Sequence, residues 1–322
     1  MLLLTRFACA ALLAACPVAG WSQGFPSKPV RIVVAFPPGG PIDIVARMLS
    51  PKLGEFLGQQ VLVDNRAGAN GIIGADFVAK SPPDGYTMIL SSPSSIAISP
   101  AVYPKMPFDT LRDLATVTLV TTTPELFVVH PSVPAKSVKE LVALARARPG
   151  QLNIASTGSG GLPHLALELL KTATKTNVLH VPYNGAAPSV AALIGGHAHG
   201  MFADLPVLLP HVQAGKLRAL AVASPKRAAL LPDLPTMNEQ GLPSVEAVNW
   251  YGILVPAKAP RDVIAKLHDG LTRTLADAGV REKLLARGAE PLGMGPGPFG
   301  AMLKEEMTRW AKLVQATNIK VD

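Results

Sequence analysis

From Val30 onward the chain alternates two hydrophobic patterns. Short apolar, β-branched runs recur between longer stretches whose apolar positions return every three or four residues, the periods of strands and amphipathic helices. Arg31 to Ala35 (RIVVA), Gln60 to Asp64 (QVLVD) and Tyr86 to Leu90 read as strands, with helices over Asp43 to Leu57 and Ala75 to Lys80. Leu114 to Thr121 and Leu126 to His130 read as two more strands, separated by Pro124. The pattern then restarts. Ser137 to Arg146, Leu165 to Thr174 and Ala187 to Ile194 read as helices, set among strands at Asn153 to Ala155, Asn177 to Val181, Met201 to Ala203 and Arg218 to Ala223. Ser137 stands three residues before Glu140, the spacing of a capping box. Leu231 to Ser244, rich in Pro and polar residues, reads as a crossing between lobes, Trp250 to Val255 as a strand, and Arg261 to Ala278 and Pro298 to Ala316 as closing helices. Such alternation predicts an α/β chain with mainly parallel sheets. No internal repeat stands out.

Composition narrows the class. The 322 residues are 48% hydrophobic and 16% charged, enough to bury a core in two domains. The net charge of +8 comes from 30 basic residues spread as singles and pairs, a solvated surface without the clustered basic patch that nucleic acid requires. The N-terminus, MLLLTRFACAALLAACPVAGWSQ, has Arg6, an apolar stretch from Phe7 to Ala15 and small residues after it, the signature of a secretory leader. Val18-Ala19-Gly20 fits a cleavage site. Leu13-Ala14-Ala15-Cys16 also fits a lipoprotein box, against which Pro17 speaks. Both cysteines, Cys9 and Cys16, lie in this leader, so a chain cleaved after Gly20 has no thiol, disulfide or cysteine metal site. An exported protein without cysteine is expected.

Two strand-to-helix junctions carry the candidate chemistry. Ala35-Phe36-Pro37-Pro38-Gly39-Gly40-Pro41 lies in the first half and Ser156-Thr157-Gly158-Ser159-Gly160-Gly161-Leu162-Pro163-His164 in the second. Glycines at a helix start leave backbone N–H groups free and let a ligand approach, and the positive end of the helix favours a carboxylate or phosphate. Tight turns alone would explain either loop; two in different halves point to a shared anion in the cleft between them. Neither matches a nucleotide motif: Pro163 stands where the dinucleotide fingerprint needs glycine, and no Gly-Lys-Ser/Thr follows. Gly68, Gly71 and Gly74 are equally off that pattern.

Catalytic and metal constellations are not found. Gly158-Ser159-Gly160 is too short for a nucleophile elbow, and His197 and His199 are two apart, in a polar turn rather than at zinc spacing. His164 can donate to an anion or cap its helix. Asp43 can cap its helix or face the cleft, and Asp204, after a strand, can accept from a ligand or cap a loop.

Several long segments closely resemble one family: FPSKPVRIVVAFPPGGPIDIVARML, VDNRAGANGIIGADFVAKSPPDGYTMIL, TGSGGLPHLALELLK, HVPYNGAAPSVAALIGG, LPHVQAGKLRALAVAS, LPTMNEQGLP and NWYGILVPAKAP. They resemble the periplasmic solute-binding proteins of tripartite tricarboxylate transporters, the Bug-type receptors. The resemblance implies a two-lobed periplasmic-binding-protein (Venus flytrap) fold with two Rossmann-like lobes, no catalysis and no cofactor. It divides the chain into a signal peptide (1–23), lobe 1 (24–124), lobe 2 (125–247) and a return to lobe 1 (248–322), with hinges near 121–126 and 245–250. It also implies a ligand carboxylate held, partly through waters, by Phe36, Pro38, Gly39, Gly40 and Asp43 in the first lobe and by Thr157, Gly158, Gly160, Gly161 and His164 in the second. Tyr183, Asn184, Gly185 and Ala187 would form another wall, Asp204 would stand opposite, and Ser91, Ser92 and Ser94 would line the distal pocket. Ile42 departs from the family's usual Thr or Ser and implies a drier site.

The function expected is therefore an extracytoplasmic receptor, a monomer. It would capture a di- or tricarboxylate, acidic amino acid or aromatic acid and deliver it to integral-membrane tripartite tricarboxylate transporter subunits. A sensor for a membrane kinase would share this chemistry. An exported α/β hydrolase would need a nucleophile–base pair that the sequence does not offer.

Overall fold

Val30–Val34 (β1, VRIVV) is apolar on both faces because helices cover both, as parallel sheets require. Ile32 and Val34 enter one core layer while Val33 and Ala35 enter another. This computed structural model describes residues 24–317 and 319; the leader read over 1–23, with Cys9 and Cys16, lies outside them. After β1 come Pro41–Leu57 (α1), Val61–Asn65 (β2), Ile72–Ala79 (α2) and Thr87–Ser91 (β3). A π-helical turn at Ser94–Ile98 leads into two short helices, Ser99–Val102 (α3) and Thr110–Asp113 (α4), and the long strand Leu114–Val129 (β4). The second half holds Val138–Ala147 (α5), Asn153–Ser156 (β5), Leu162–Thr174 (α6), Leu179–Pro182 (β6), Ala186–Ile194 (α7), Gly200–Asp204 (β7), Leu205–Gln213 (α8) and Arg218–Val222 (β8). Val248–Pro256 (β9), Arg261–Ala276 (α9), Ala278–Leu285 (α10), Glu290–Met294 (β10) and Pro296–Thr317 (α11) return to the first half.

The strands run in the order β2-β1-β3-β9-β4-β7-β5-β6, with β8 and β10 also pairing with β4. Pairing is parallel within β2-β1-β3 and within β6-β5-β7. The expectation of mainly parallel sheets fails in the middle: β3–β9, β9–β4, β4–β7, β4–β8 and β4–β10 are all antiparallel. The reason is that β4 carries the chain out of the first half and β9 brings it back, so they run opposite ways. Strands expected on either side of Pro124 are one strand. Pro124 has no N–H to give, yet it falls where β4 changes partner: residues Leu114 to Pro124 pair with β9, and Glu125 to Val129 pair with β7.

The glycines of AGANGIIGA have local causes. Gly68 and Gly71 take positive φ (137° and 89°) around a 3₁₀ turn, and Gly74 lets α2 press onto β1. A Cβ on Gly74 would lie 2.9 Å from the Cα of Ala35. The capping box forms in part at Ser137: its hydroxyl accepts from Glu140 N–H, but Glu140 accepts from Lys136 N–H, one residue before the cap.

Candidate ligand-binding site

The first junction folds as a cap. Gly39 takes φ 77°, Gly40 is the N-cap of α1 and Pro41 occupies the first turn, where its missing N–H costs nothing. Asp43 is 2% exposed and turns back on the loop: its carboxylate accepts from Gly39 N–H (2.9 Å), Arg47 Nε (2.9 Å) and Asn65 Nδ2 (2.9 Å). Burial pushes this carboxyl up, but the bonds from Arg47, Gly39 and Asn65 outweigh it and hold it below the usual range. Among the described residues the amides of Ile42 and Asp43 have no hydrogen-bond acceptor, so the open donors of this helix start are theirs.

At the second junction three donors are spent, while the amides of Thr157, Ser159, Gly161 and His164 have no acceptor among the described residues. Gly158 N–H donates to Ser156 Oγ (3.3 Å), Gly160 N–H to His164 Nδ1 (3.0 Å), and Leu162 N–H to Ser94 Oγ (3.1 Å). Ser94 belongs to the first half, and Asn70 of that half also donates to Gly160 O (3.1 Å), so the two halves touch here. His164 accepts at Nδ1, which leaves its proton on Nε2 facing Glu168 (3.7 Å). Its ring stacks on His180 at 3.7 Å between centroids; His180 bonds Ser156 Oγ, and burial, then His164, lowers its pKa to about 4.

A third helix start completes the enclosure. Gly185, at φ 102°, is the N-cap of α7, and the amides of Ala186 and Ala187 have no acceptor among the described residues. A Cβ on Gly185 would lie 3.4 Å from Pro37 across the cleft.

One cavity lies between these parts. It measures about 80 Å³, on a scale where a water needs on the order of 10–15 Å³, so it has room for a compact ligand. Of the residues expected at the site, Phe36, Pro38, Gly40, Ser92, Ser94, Thr157, Asn184, Gly185, Ala187 and Asp204 line it. Gly39, Asp43, Ser91, Gly158, Gly160, Gly161, His164 and Tyr183 do not. The reasons are local: Asp43 is held by the loop it caps, Ser91 bonds Ser95 (2.9 Å), and the Gly158–His164 turn is closed by its own bonds and by Ser94. The second junction contributes Thr157 and Pro163 to the lining, and the start of α7 adds Gly185, Ala186, Ala187 and Pro188.

The sequence reading missed one wall. Glu125, Asn249 and Tyr251 line the cavity with Asp204. Asp204 accepts from Asn249 Nδ2 (2.8 Å) and from the Tyr251 hydroxyl. Glu125 faces it directly across the β4–β7 ladder and is wholly buried. Burial, then Asp204, pushes the Glu125 carboxyl well above its usual range, and burial also raises Asp204 against the bonds it receives. A glutamate within the apolar run of β4 was the available signal. No Lys, Arg or His lines the cavity. Among the described residues no group of three or more His, Cys, Asp or Glu could hold a metal ion.

The family model described as "Tripartite tricarboxylate transporter family receptor" matches residues 45–319. Protein BugT of Bordetella pertussis is 37% identical over 298 residues, 92% of this chain and 91% of that one. Among solved structures, Rpa4515 of R. palustris with adipate has a TM-score of 0.88 at 35% identity, covering 92% of this chain and 99% of that one. MatC (Rpa3494) of Rhodopseudomonas palustris with bound malate has a TM-score of 0.85 at 31% identity, covering 90% and 100%.

Proposed function

We propose that this chain, which belongs to the tripartite tricarboxylate transporter family of receptors, captures a small carboxylate between its two halves and delivers it to a membrane transporter. The observation that supports this most is the convergence of two helix starts from opposite halves, at Gly40–Ile42 and Ala186–Ala187, on one cavity without a basic side chain. Open N–H groups at the positive end of a helix hold an anion without any Lys or Arg. Enclosure strengthens each such contact by excluding water. Two similar structures hold small acids, one adipate and the other malate.

The lobes in this reading are 24–124 with 248–322, and 125–247, hinged where β4 and β9 cross. The protein acts as a monomer outside the cytoplasm, released or anchored through its leader, and its closed form is what the membrane subunits recognise. Ile42, 2% exposed and lining the cavity, gives the ligand an apolar wall. Tight binding of citrate would contradict that detail.

A thermal-shift screen of the purified protein, unfolded and refolded to strip bound solute, tests the function. It would include mono-, di- and tricarboxylates, amino acids and aromatic acids. A ligand at a hundredfold excess over its Kd adds about 2.7 kcal/mol of stability. A hit among acids supports the receptor; a stripped protein that ignores every acid, yet responds to neutral or cationic solutes, sinks it.

A further inference from the structure

The acidic wall stands apart from the two helix starts that receive a carboxylate. Glu125 is 0% exposed, and neither of its carboxyl oxygens has a hydrogen-bond partner among the described residues. It faces Asp204 across an antiparallel ladder, where directly opposed side chains come within contact and like charges repel. Asp204 is itself 5% exposed and is held by Asn249 and Tyr251 from β9. The groups around Glu125 are thus Asp204 on β7, Tyr251 and Asn249 on β9, and Thr123 on its own strand. None is a cation, and the rest of the lining adds none.

A buried carboxyl normally keeps a partner, since desolvation without one is costly. These two lack the positive charge that would settle them, and both open onto the ligand cavity. The helix starts at Ile42 and Ala186 present donors, while this wall presents only acceptors and proton-bearing acids. A ligand with a carboxylate at each end would therefore set one of them against Glu125 and Asp204.

Resting on the carboxylate reading, we propose that the ligand is an amino-bearing acid, whose carboxylate meets the two helix starts and whose protonated amine is received by Glu125 and Asp204. Glu125 is the specificity residue of this second subsite. Asp204, already fixed by two donors, positions the charge.

Calorimetric titration with matched pairs tests this: 4-aminobutanoate against glutarate, and 5-aminopentanoate against adipate, each pair sharing its methylene count. The wild-type protein binds at least one amino acid of the set about tenfold or more tighter than its dicarboxylate partner, as a charge-assisted bond requires. Glu125→Gln brings that ratio down to about threefold or less, while the refolded variant keeps its melting transition. Equal or tighter binding of the dicarboxylates overturns the proposal and leaves the carboxylate receptor standing. A preference that survives in Glu125→Gln overturns the role of Glu125. Failure of all four acids overturns the amino-acid subsite, and the wider acid screen then decides separately whether a carboxylate receptor remains. The wild-type comparison decides the ligand class even if the variant does not fold.

Discussion

Asp43 and His180 show how single residues here respond to acid in the same direction for different reasons. Asp43 is held ionised by Arg47, Gly39 and Asn65, so its folded pKa lies below the unfolded one. Its contribution is present above the unfolded carboxylate range and is lost as pH falls through the lowered folded value. Asp43→Asn should cost on the order of 1–3 kcal/mol at neutral pH and flatten the acid limb of the stability curve, measured by urea unfolding. His180, lowered to about 4, stays neutral in the fold while the unfolded ring protonates near 6.5. Its contribution is whole above about 6.5 and is lost between there and about 4. His180→Asn should remove the pH slope in that window; an unchanged slope would show that the stacked pair does not control it. Neither environment was legible locally, because Asn65 and His164 reach these groups across the fold.

Elements were more legible than residues. The apolar period located most strands and helices because each buries one or both faces, and boundaries shifted by only a few residues. Failures follow from long-range facts. Leu205–Gln213 was missed because Pro206 and Pro210 sit in its pattern, although Pro206 fills a first-turn position. β4 was split at Pro124 because pairing partners are not encoded nearby. The GIIGA glycine had an unassigned spacing that becomes packing: Gly74→Ala drives a methyl against the backbone of Ala35. That substitution should destabilise by about 1–3 kcal/mol, read as a lower melting temperature, with ligand affinity changed little. An anion device was read at both glycine junctions. One of them is partly occupied by Ser94, Asn70 and His164, which no spacing within TGSGG reveals.

At the scale of the whole molecule, two polar contacts join the halves beside the cavity. Asn70 holds Gly160 O from the opposite half, and Ser94 caps Leu162. Such bonds are worth about 1 kcal/mol each, enough to bias closure without locking it. Asn70→Ala should open the ligand-free protein, raising its radius of gyration in X-ray scattering. It should also weaken ligand binding about threefold to tenfold, since apparent affinity falls with the closed fraction. Equal scattering and equal affinity would place the control of closure elsewhere.

In the proposed function a carboxylate sits between helix starts of opposite halves. Amide chemical shifts followed by NMR during titration with a bound acid test it most directly. The largest changes are expected at Ile42, Asp43, Ala186 and Ala187 together, with Gly158, Gly160 and Leu162 little moved. Shifts centred on Gly158 to Leu162, with those four amides silent, would contradict it.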